Sequence, residues 1–368
     1  MIGPRNPTLE AAIRADRSDP GPYLVYADWL QAQGSALGEL IVVQHALATG
    51  ADPAKQQRAA ELIRALELPE PDLATVGWRR GLWEWLRLEN ARDWMDGSFD
   101  ALALARRLFE SPACAVLAEL RLGMLRWGAS AVDVPAVLAE AARHDWAAHL
   151  TRLHLGDVPA GIDMAYHVVG DVGAVISRSF PGLRWLRIHS GASCGVETFG
   201  VAGLALPALV ELVVETCSMA SERARDLAAA SLPALERLEL WFRSPFEEDA
   251  AVEDLGPILA GTAFPQLRHL ALPNSTPADA LAGAVAGSPI AARLASFDLS
   301  MGTLSDEGAA TLAGAAAAFP GLRTLSVDDN FLSAEAIATL RARFTNAEVV
   351  SRGQKVARGG ARYVTIAE

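Results

Sequence analysis

A six-residue pattern, Leu-x-x-Leu-x-Leu with close variants, recurs nine times between Trp83 and Val327, and no other feature constrains the fold of this chain as strongly. The clearest copies are Leu117-x-x-Leu120-x-Leu122, Leu150-x-x-Leu153-x-Leu155, Leu183-x-x-Leu186-x-Ile188, Leu209-x-x-Leu212-x-Val214 and Leu235-x-x-Leu238-x-Leu240. Leu267-x-x-Leu270-x-Leu272, Leu294-x-x-Phe297-x-Leu299 and Leu322-x-x-Leu325-x-Val327 follow, and a weaker first copy is Trp83-x-x-Leu86-x-Leu88. First positions at 83, 117, 150, 183, 209, 235, 267, 294 and 322 step by 34, 33, 33, 26, 26, 32, 27 and 28 residues. A period of this kind marks stacked supersecondary units, each too small to bury its apolar face without neighbours. The step is longer than a strand and a turn require, so each repeat is expected to add a helix.

The segments between the copies fit that expectation. Five copies are preceded by an aromatic or Leu, then Pro, one residue and Leu: Phe180-Pro181, Leu206-Pro207, Leu232-Pro233, Phe264-Pro265 and Phe319-Pro320 carry the motif. Proline cannot continue a helix and is tolerated just before a strand begins its ladder. Upstream, Ala309 to Phe319 is alanine-rich with Leu312 and Phe319 as its larger apolar side chains, a helical composition. Ser305 before Asp306 and Glu307, and Ser333 before Glu335, read as helix starts with acids in the first turn.

Cys217 and Asn330 each stand eight residues after the first Leu of their repeat. With them, the repeats resemble the ribonuclease-inhibitor-like subclass of leucine-rich repeat proteins, over about residues 78–350. The resemblance implies an α/β leucine-rich repeat solenoid, its parallel sheet concave and its helices outside. A fold of this kind does not itself specify a function.

Residues 1–77 hold no repeat strand and are expected to form a small helical bundle capping the solenoid, since a stack of repeats leaves its ends open. Asp19-Pro20-Gly21-Pro22 turns into a helix with Leu24, Ala27 and Leu30 at spacing three, and Gly34 stands where a left-handed residue would end it. Further helices are expected from about 37 to 48 and 53 to 66. The wording Leu9-Glu10-Ala11-Ala12-Ile13, Leu24-Val25-Tyr26-Ala27-Asp28-Trp29-Leu30 and Gly38-Glu39-Leu40-Ile41-Val42-Val43-Gln44 is similar to the repeat-companion domain that precedes repeat arrays in certain bacterial proteins. Trp78, Trp83, Trp94 and Trp127 are expected to seal bundle to first repeats. At the other end, Phe344 to Val350 reads as a degenerate last strand and 351–368 as a tail or an edge-covering strand.

Composition excludes several functions. The net charge of −12 and pI near 5.1 oppose general affinity for nucleic acid or anionic membranes. Of 32 basic residues only Lys55 and Lys355 are lysine, so a catalytic lysine is not expected. The opening, Met1 to Arg17, carries Glu10 and Asp16 and lacks the apolar core of a signal peptide; no run approaches the length of a membrane span. Cys114, Cys194 and Cys217 are too few and too scattered for a disulfide framework or a zinc site and fit buried thiols in a reducing cytoplasm. Asn274-Ser275-Thr276 matches a glycosylation sequon, which means little in that compartment.

No catalytic constellation assembles. Gly191-Ala192-Ser193-Cys194-Gly195 imitates a nucleophile elbow but lacks the helix that should follow the serine. His144 and His149, beside Asp145 and His154, are five apart, which misplaces two metal ligands on a helix. The acids Glu247, Glu248, Asp249, Glu253 and Asp254 suit a helix start. Neither an enzyme nor a cofactor is expected.

What is left is the concave face. Alternation along a strand sends positions four and six to the core and positions three, five and seven to the other side. Position three then reads Trp85, Glu119, Arg152, Trp185, Glu211, Arg237, His269, Ser296, Thr324; position five reads Arg87, Arg121, His154, Arg187, Val213, Glu239, Ala271, Asp298, Ser326. Arg and Trp dominate the first four repeats, and acidic or small residues the later ones. Trp85, Arg87, Arg121, Arg152, His154, Trp185 and Arg187 are therefore the expected partner-binding residues, since Trp and Arg are enriched at interface hot spots. The expected function is protein interaction with an acidic partner surface. The alternative is regulation of a nucleotide-binding enzyme such as a small GTPase, with Arg126 or Arg243 projecting from a loop. Nucleic-acid binding through the same columns is opposed by the net charge.

Overall fold

The computed structural model describes residues 3–66, 68–91, 99–125, 133–158, 168–191, 199–242 and 250–366. Two compact units make up the chain: Met1–Ala160 with Arg178–Leu183, and Gly161–Ser177 with Arg184–Glu368.

The first unit opens with four helices, α1 (Pro7–Ala15), α2 (Pro20–Ala32), α3 (Ala36–Thr49) and α4 (Pro53–Ala65). Three start on a side-chain cap followed by Pro, where the missing N–H costs nothing: Asn6 accepts from Leu9 N–H, Asp19 from Gly21, and Asp52 from Ala54 and Lys55. Gly34 is left-handed at φ 77°, as its place after α2 requires. The buried stripe of α2 is Tyr23, Tyr26, Ala27 and Leu30, while Leu24 lies only half-buried beside it. The spacing-three reading thus caught two of the four core positions and missed the tyrosines.

After the bundle comes an antiparallel hairpin that the repeat pattern does not announce, β1 (Ala74–Arg79) and β2 (Leu82–Leu88). Both residues of its two-residue loop, Arg80 (φ 50°) and Gly81 (φ 86°), are left-handed, the twist such loops need. The loop packs on α3: a Cβ on Gly81 would lie 2.6 Å from Ile41 Cα, and Gly81 N–H donates to Gln44 Oε1 at 2.7 Å. From β2 the sheet continues in parallel through β3 (Glu119–Leu122) to β4 (Arg152–Leu155), with α5 (Ala101–Phe109) and α6 (Asp133–Ala141) between them.

The second unit holds a seven-strand parallel sheet in the order β6 (Trp185–Ser190), β8 (Glu211–Thr216), β9 (Arg237–Leu240), β10 (His269–Ala271), β11 (Ser296–Asp298), β12 (Thr324–Ser326), β13 (Glu348–Val350). The helices are α7 (Gly173–Ser179), whose last two residues belong to the first unit, α8 (Ser221–Ala228), α9 (Gly256–Leu259), α10 (Ala278–Ala286), α11 (Asp306–Gly314) and α12 (Ala334–Arg343). Ser305 and Ser333 cap α11 and α12 through their side chains. Helices are not uniform across repeats. Among the described residues between β6 and β8 none forms, and β7 (Phe199–Gly200) instead pairs in parallel with β5 (Gly170–Asp171). Length alone does not decide this, since the next repeat, also of 26 residues, holds α8.

The fold of each unit is a leucine-rich repeat stack. Every first, fourth and sixth position of the nine patterns is buried, at 2 % exposure or less. The residue before each of the five prolines, Phe180, Leu206, Leu232, Phe264 and Phe319, is buried with them, so the Pro turns deliver a core side chain as well as a chain reversal. Asn330 ties successive loops: its Oδ1 accepts from Leu304 N–H at 2.9 Å, and its Nδ2 donates to Leu299 O at 2.8 Å and Asp328 O at 3.0 Å.

Candidate functional site

Strand register sets which side chains share a face, and it reproduces the columns read from the repeats. In the first unit Trp85, Glu119 and Arg152 are lateral partners, as are Arg87, Arg121 and His154. In the second, Trp185, Glu211, Arg237, His269, Ser296 and Thr324 form one row and Arg187, Val213, Glu239, Ala271, Asp298 and Ser326 the next.

Trp85 lies against Gly77 of the neighbouring strand, where a Cβ would fall 1.9 Å from its indole nitrogen, so only glycine permits this ring position. The Arg121 guanidinium is 4.9 Å from the Trp85 ring centroid, within cation–π range. Glu119 accepts from Arg121 Nε at 2.8 Å and lies 3.6 Å from Arg152 Nε. Arg152 has 46 % of its side chain exposed, the most of the three strand-face arginines of this unit. Arg87 is held more tightly. It pairs with Glu89, donates to Asp157 Oδ2 at 2.9 Å and to Asp157 O at 2.6 Å, and is mostly buried. His154 Nδ1 stands 3.6 Å from the same Asp157.

The second unit repeats this chemistry. Trp185 Nε1–H donates to Glu211 at 3.1 Å, and Arg187 holds Glu215 through Nε at 3.2 Å and Nη2 at 2.5 Å, with His189 Nδ1 at 3.1 Å from the same carboxylate. Burial alone would raise the Glu215 carboxyl, but His189 and Arg187 outweigh it and hold it below the ordinary range. Glu239 goes the other way: burial, with the charges of Glu215 and Asp298, raises it despite the Trp241 indole N–H that it accepts at 2.9 Å. A groove of about 700 Å³ runs along this face, with Arg237, Arg268 and Arg323 in its lining beside the acids Glu211, Glu239 and Asp298.

The expected Arg and Trp residues are thus where the alternation put them, Trp85, Arg87, Arg121, Arg152 and His154 in the first unit, Trp185 and Arg187 in the second. Their carboxylate partners are Glu89, Glu119, Asp157 and Glu215. Glu119 is visible as the row neighbour of Trp85 and Arg152, whereas Asp157 sits in the loop after its strand and carries no positional signal. His144 belongs to an aromatic cluster, stacked 5.8 Å from Trp146 and edge-on to Phe109 at 6.0 Å, while His149 lies apart from it on an exposed turn. Glu253 and Asp254 stand in the first turn of a short 3-10 helix (Val252–Leu255), and Asp254 reaches back to accept from the N-cap Ala251 N–H at 3.1 Å and from Ser221 Oγ at 2.7 Å. Asn274 of the sequon is buried and left-handed, its side chain bonded to the Ile366 backbone. Ser193, Cys194, Arg126, Arg243, Trp94, Trp127 and the acids 247–249 lie outside the described residues.

No protein-family model matches the chain, and no curated protein sequence does. Among solved structures it resembles a protein from Bacteroides fragilis at TM-score 0.57, with 19% identity over 68% of this chain and 70% of that one. That likeness is one of fold. An internalin from Listeria monocytogenes aligns at TM-score 0.31 and 15% identity over 70% of this chain and 71% of its own, too loosely to support a further reading. No helix among the described residues is long and apolar enough to cross a membrane.

Proposed function

We propose that this protein is a non-enzymatic interaction scaffold that binds a protein partner through its strand faces, with Trp85, Arg87, Arg121, Arg152 and His154 contributing from the first unit and Trp185 and Arg187 from the second. One observation carries the reading: Trp85 lies over Gly77 beneath Arg121, with Arg152 half-exposed beyond Glu119, so guanidinium groups braced by an aromatic ring and a carboxylate are presented on a rigid sheet. Rigid aromatic and Arg anchors are what interface hot spots are made of.

The partner surface is acidic on this reading, although the arginines already hold carboxylates. A guanidinium has five N–H donors, and Glu215 takes two from Arg187. An incoming carboxylate can therefore share the group without displacing its internal partner. The same reading places the repeats in the ribonuclease-inhibitor-like subclass, on the loop-tying role of Asn330, and the N-terminal helices with the repeat-companion domain. The buried thiols Cys114 and Cys217 fit a cytoplasmic setting.

The test is capture of partners by the full chain and by Arg152→Glu. This variant is chosen over one at Arg187, because removing that guanidinium leaves the buried Glu215 facing a second carboxylate and confounds binding with folding. Arg152→Glu should keep the melting temperature, as exposed substitutions usually change stability by under about 0.5 kcal/mol. It should lower the yield of the main partner by about thirtyfold, the scale of a hot-spot loss. Equal capture by variant and wild type would move the site off the first unit's strand face.

A further inference from the structure

A second cavity, of about 670 Å³, lies in the first unit away from the strand face. It is lined by Arg14 from α1, by Arg143, His144, Asp145 and His149 from the turn after α6, and by Arg178 and Ser179. Three guanidinium groups and one carboxylate line it, in a chain whose net charge is −12, with Glu10 and Glu140 within 4.0 Å of Arg14 and Arg143.

Those cations are incompletely used. The Arg14 side chain is only 5 % exposed, and one of its terminal nitrogens donates to Ala115 O at 2.9 Å while lying 3.7 Å from Glu10. Among the described residues nothing accepts from its Nε–H, nor does anything hydrogen-bond the buried His144 Nε2, which is 4.0 Å from Glu140. A buried donor without an acceptor costs about 1–3 kcal/mol, more when charged, and such groups are few in native proteins. Arg143 is 73 % exposed and reaches Glu140 only at 4.0 Å, and no carboxylate among the described residues pairs with Arg178. The buried Arg14 and two loosely held arginines line one cavity, and the orphaned nitrogens lie buried behind its wall.

We propose that this cavity is an anion-binding site for the phosphoryl group of a small phosphate ester. The planar forks of arginine match phosphate oxygens two at a time, and a phosphoryl group has enough oxygens to engage more than one of them at once, which a single carboxylate does not. The volume falls in the range of small-molecule sites, about 300–1,000 Å³. A nucleic acid is disfavoured, because its flanking phosphates would meet the negative field of the chain.

The experiment is thermal unfolding of the full chain with inorganic phosphate and with glycerol 3-phosphate, against potassium chloride at matched ionic strength. Both should raise the melting temperature in a saturable way that chloride does not reproduce. Arg143→Ala with Arg178→Ala should fold with the wild-type melting temperature in chloride and lose the phosphate response, and Arg14→Gln, if it folds, should lose it too. Absence of a response beyond chloride, or its survival in the double variant, overturns the proposal. A phosphoserine peptide that binds about tenfold or more tightly than glycerol 3-phosphate, roughly 1.4 kcal/mol, overturns the small-ester assignment in favour of a phosphorylated protein.

Discussion

Glu10 shows what a single residue contributes to this fold. Its carboxylate has no exposed surface, yet it accepts from Arg5 Nε at 3.1 Å and Nη2 at 2.5 Å, from the Tyr26 hydroxyl at 3.0 Å and from Asn6 N–H at 3.3 Å. Burial would raise its pKa, but the Arg5 hydrogen bonds and charge, with Tyr26 and Arg14, outweigh that and hold it below the usual value. A depressed carboxylate contributes stability that is fully present above the unfolded pKa, near about 4.3, and is lost as pH falls through the lower folded value. Glu10→Gln should destabilise the protein by about 3 kcal/mol at pH 7, because it leaves guanidinium groups unpaired in the bundle. Denaturant titrations at successive pH values should show the gap between wild type and variant closing below about pH 4. A constant gap would mean that Glu10 acts by packing rather than charge.

Among the elements, the C-terminal segment departs most from the repeat logic. It forms no strand from 351 to 366 and instead folds back over the loops that follow β10 to β12. Thr365 N–H donates to Met301 O at 2.8 Å, and Asn274 exchanges hydrogen bonds with both backbone groups of Ile366. Lys355 pins it, donating to Gly302 O at 3.0 Å, Tyr363 O at 2.8 Å and Thr365 Oγ1 at 3.2 Å beneath the rings of Phe331 and Tyr363. Three acceptors around one point match an ammonium and not a planar guanidinium, a physical reason for lysine at this site in a chain otherwise rich in arginine. Lys355→Met should release the segment, with tryptic cleavage after Arg358 and Arg362 at least several times faster than in wild type, and Lys355→Arg should not restore protection. Unchanged cleavage in Lys355→Met would show that the other ties, from Asn274, Thr365 and the Arg362–Asp279 pair, hold it without the lysine.

For the whole molecule, the question is where cooperative folding begins. The helices and the first strands of the first unit are joined by specific contacts: Gly81 against Ile41, Arg14 to Ala115 O at 2.9 Å and Arg17 to His149 O at 3.2 Å. Trp83, fully buried and edge-on to Trp78, sits in the same region. A protein lacking residues 1–66 should therefore expose the face of β1 and β2 that the bundle covers, and aggregate or lose several degrees of melting temperature. A soluble truncated protein with unchanged melting would make the bundle an independent module.

Sequence by itself determined the repeat strands, their core positions and the rows of side chains on the strand face, because each depends on local alternation within a recurring pattern. Trp85, Glu119 and Arg152 share a row for that reason alone. Tertiary structure decided which of those groups are spoken for. Arg87 meets Asp157 across 70 residues of chain, and Arg14 enters a cavity whose other walls come from residues 142–149 and 178–181. Neither pairing has a period, since ion pairs and cavities follow from distance through space between side chains that no spacing rule relates.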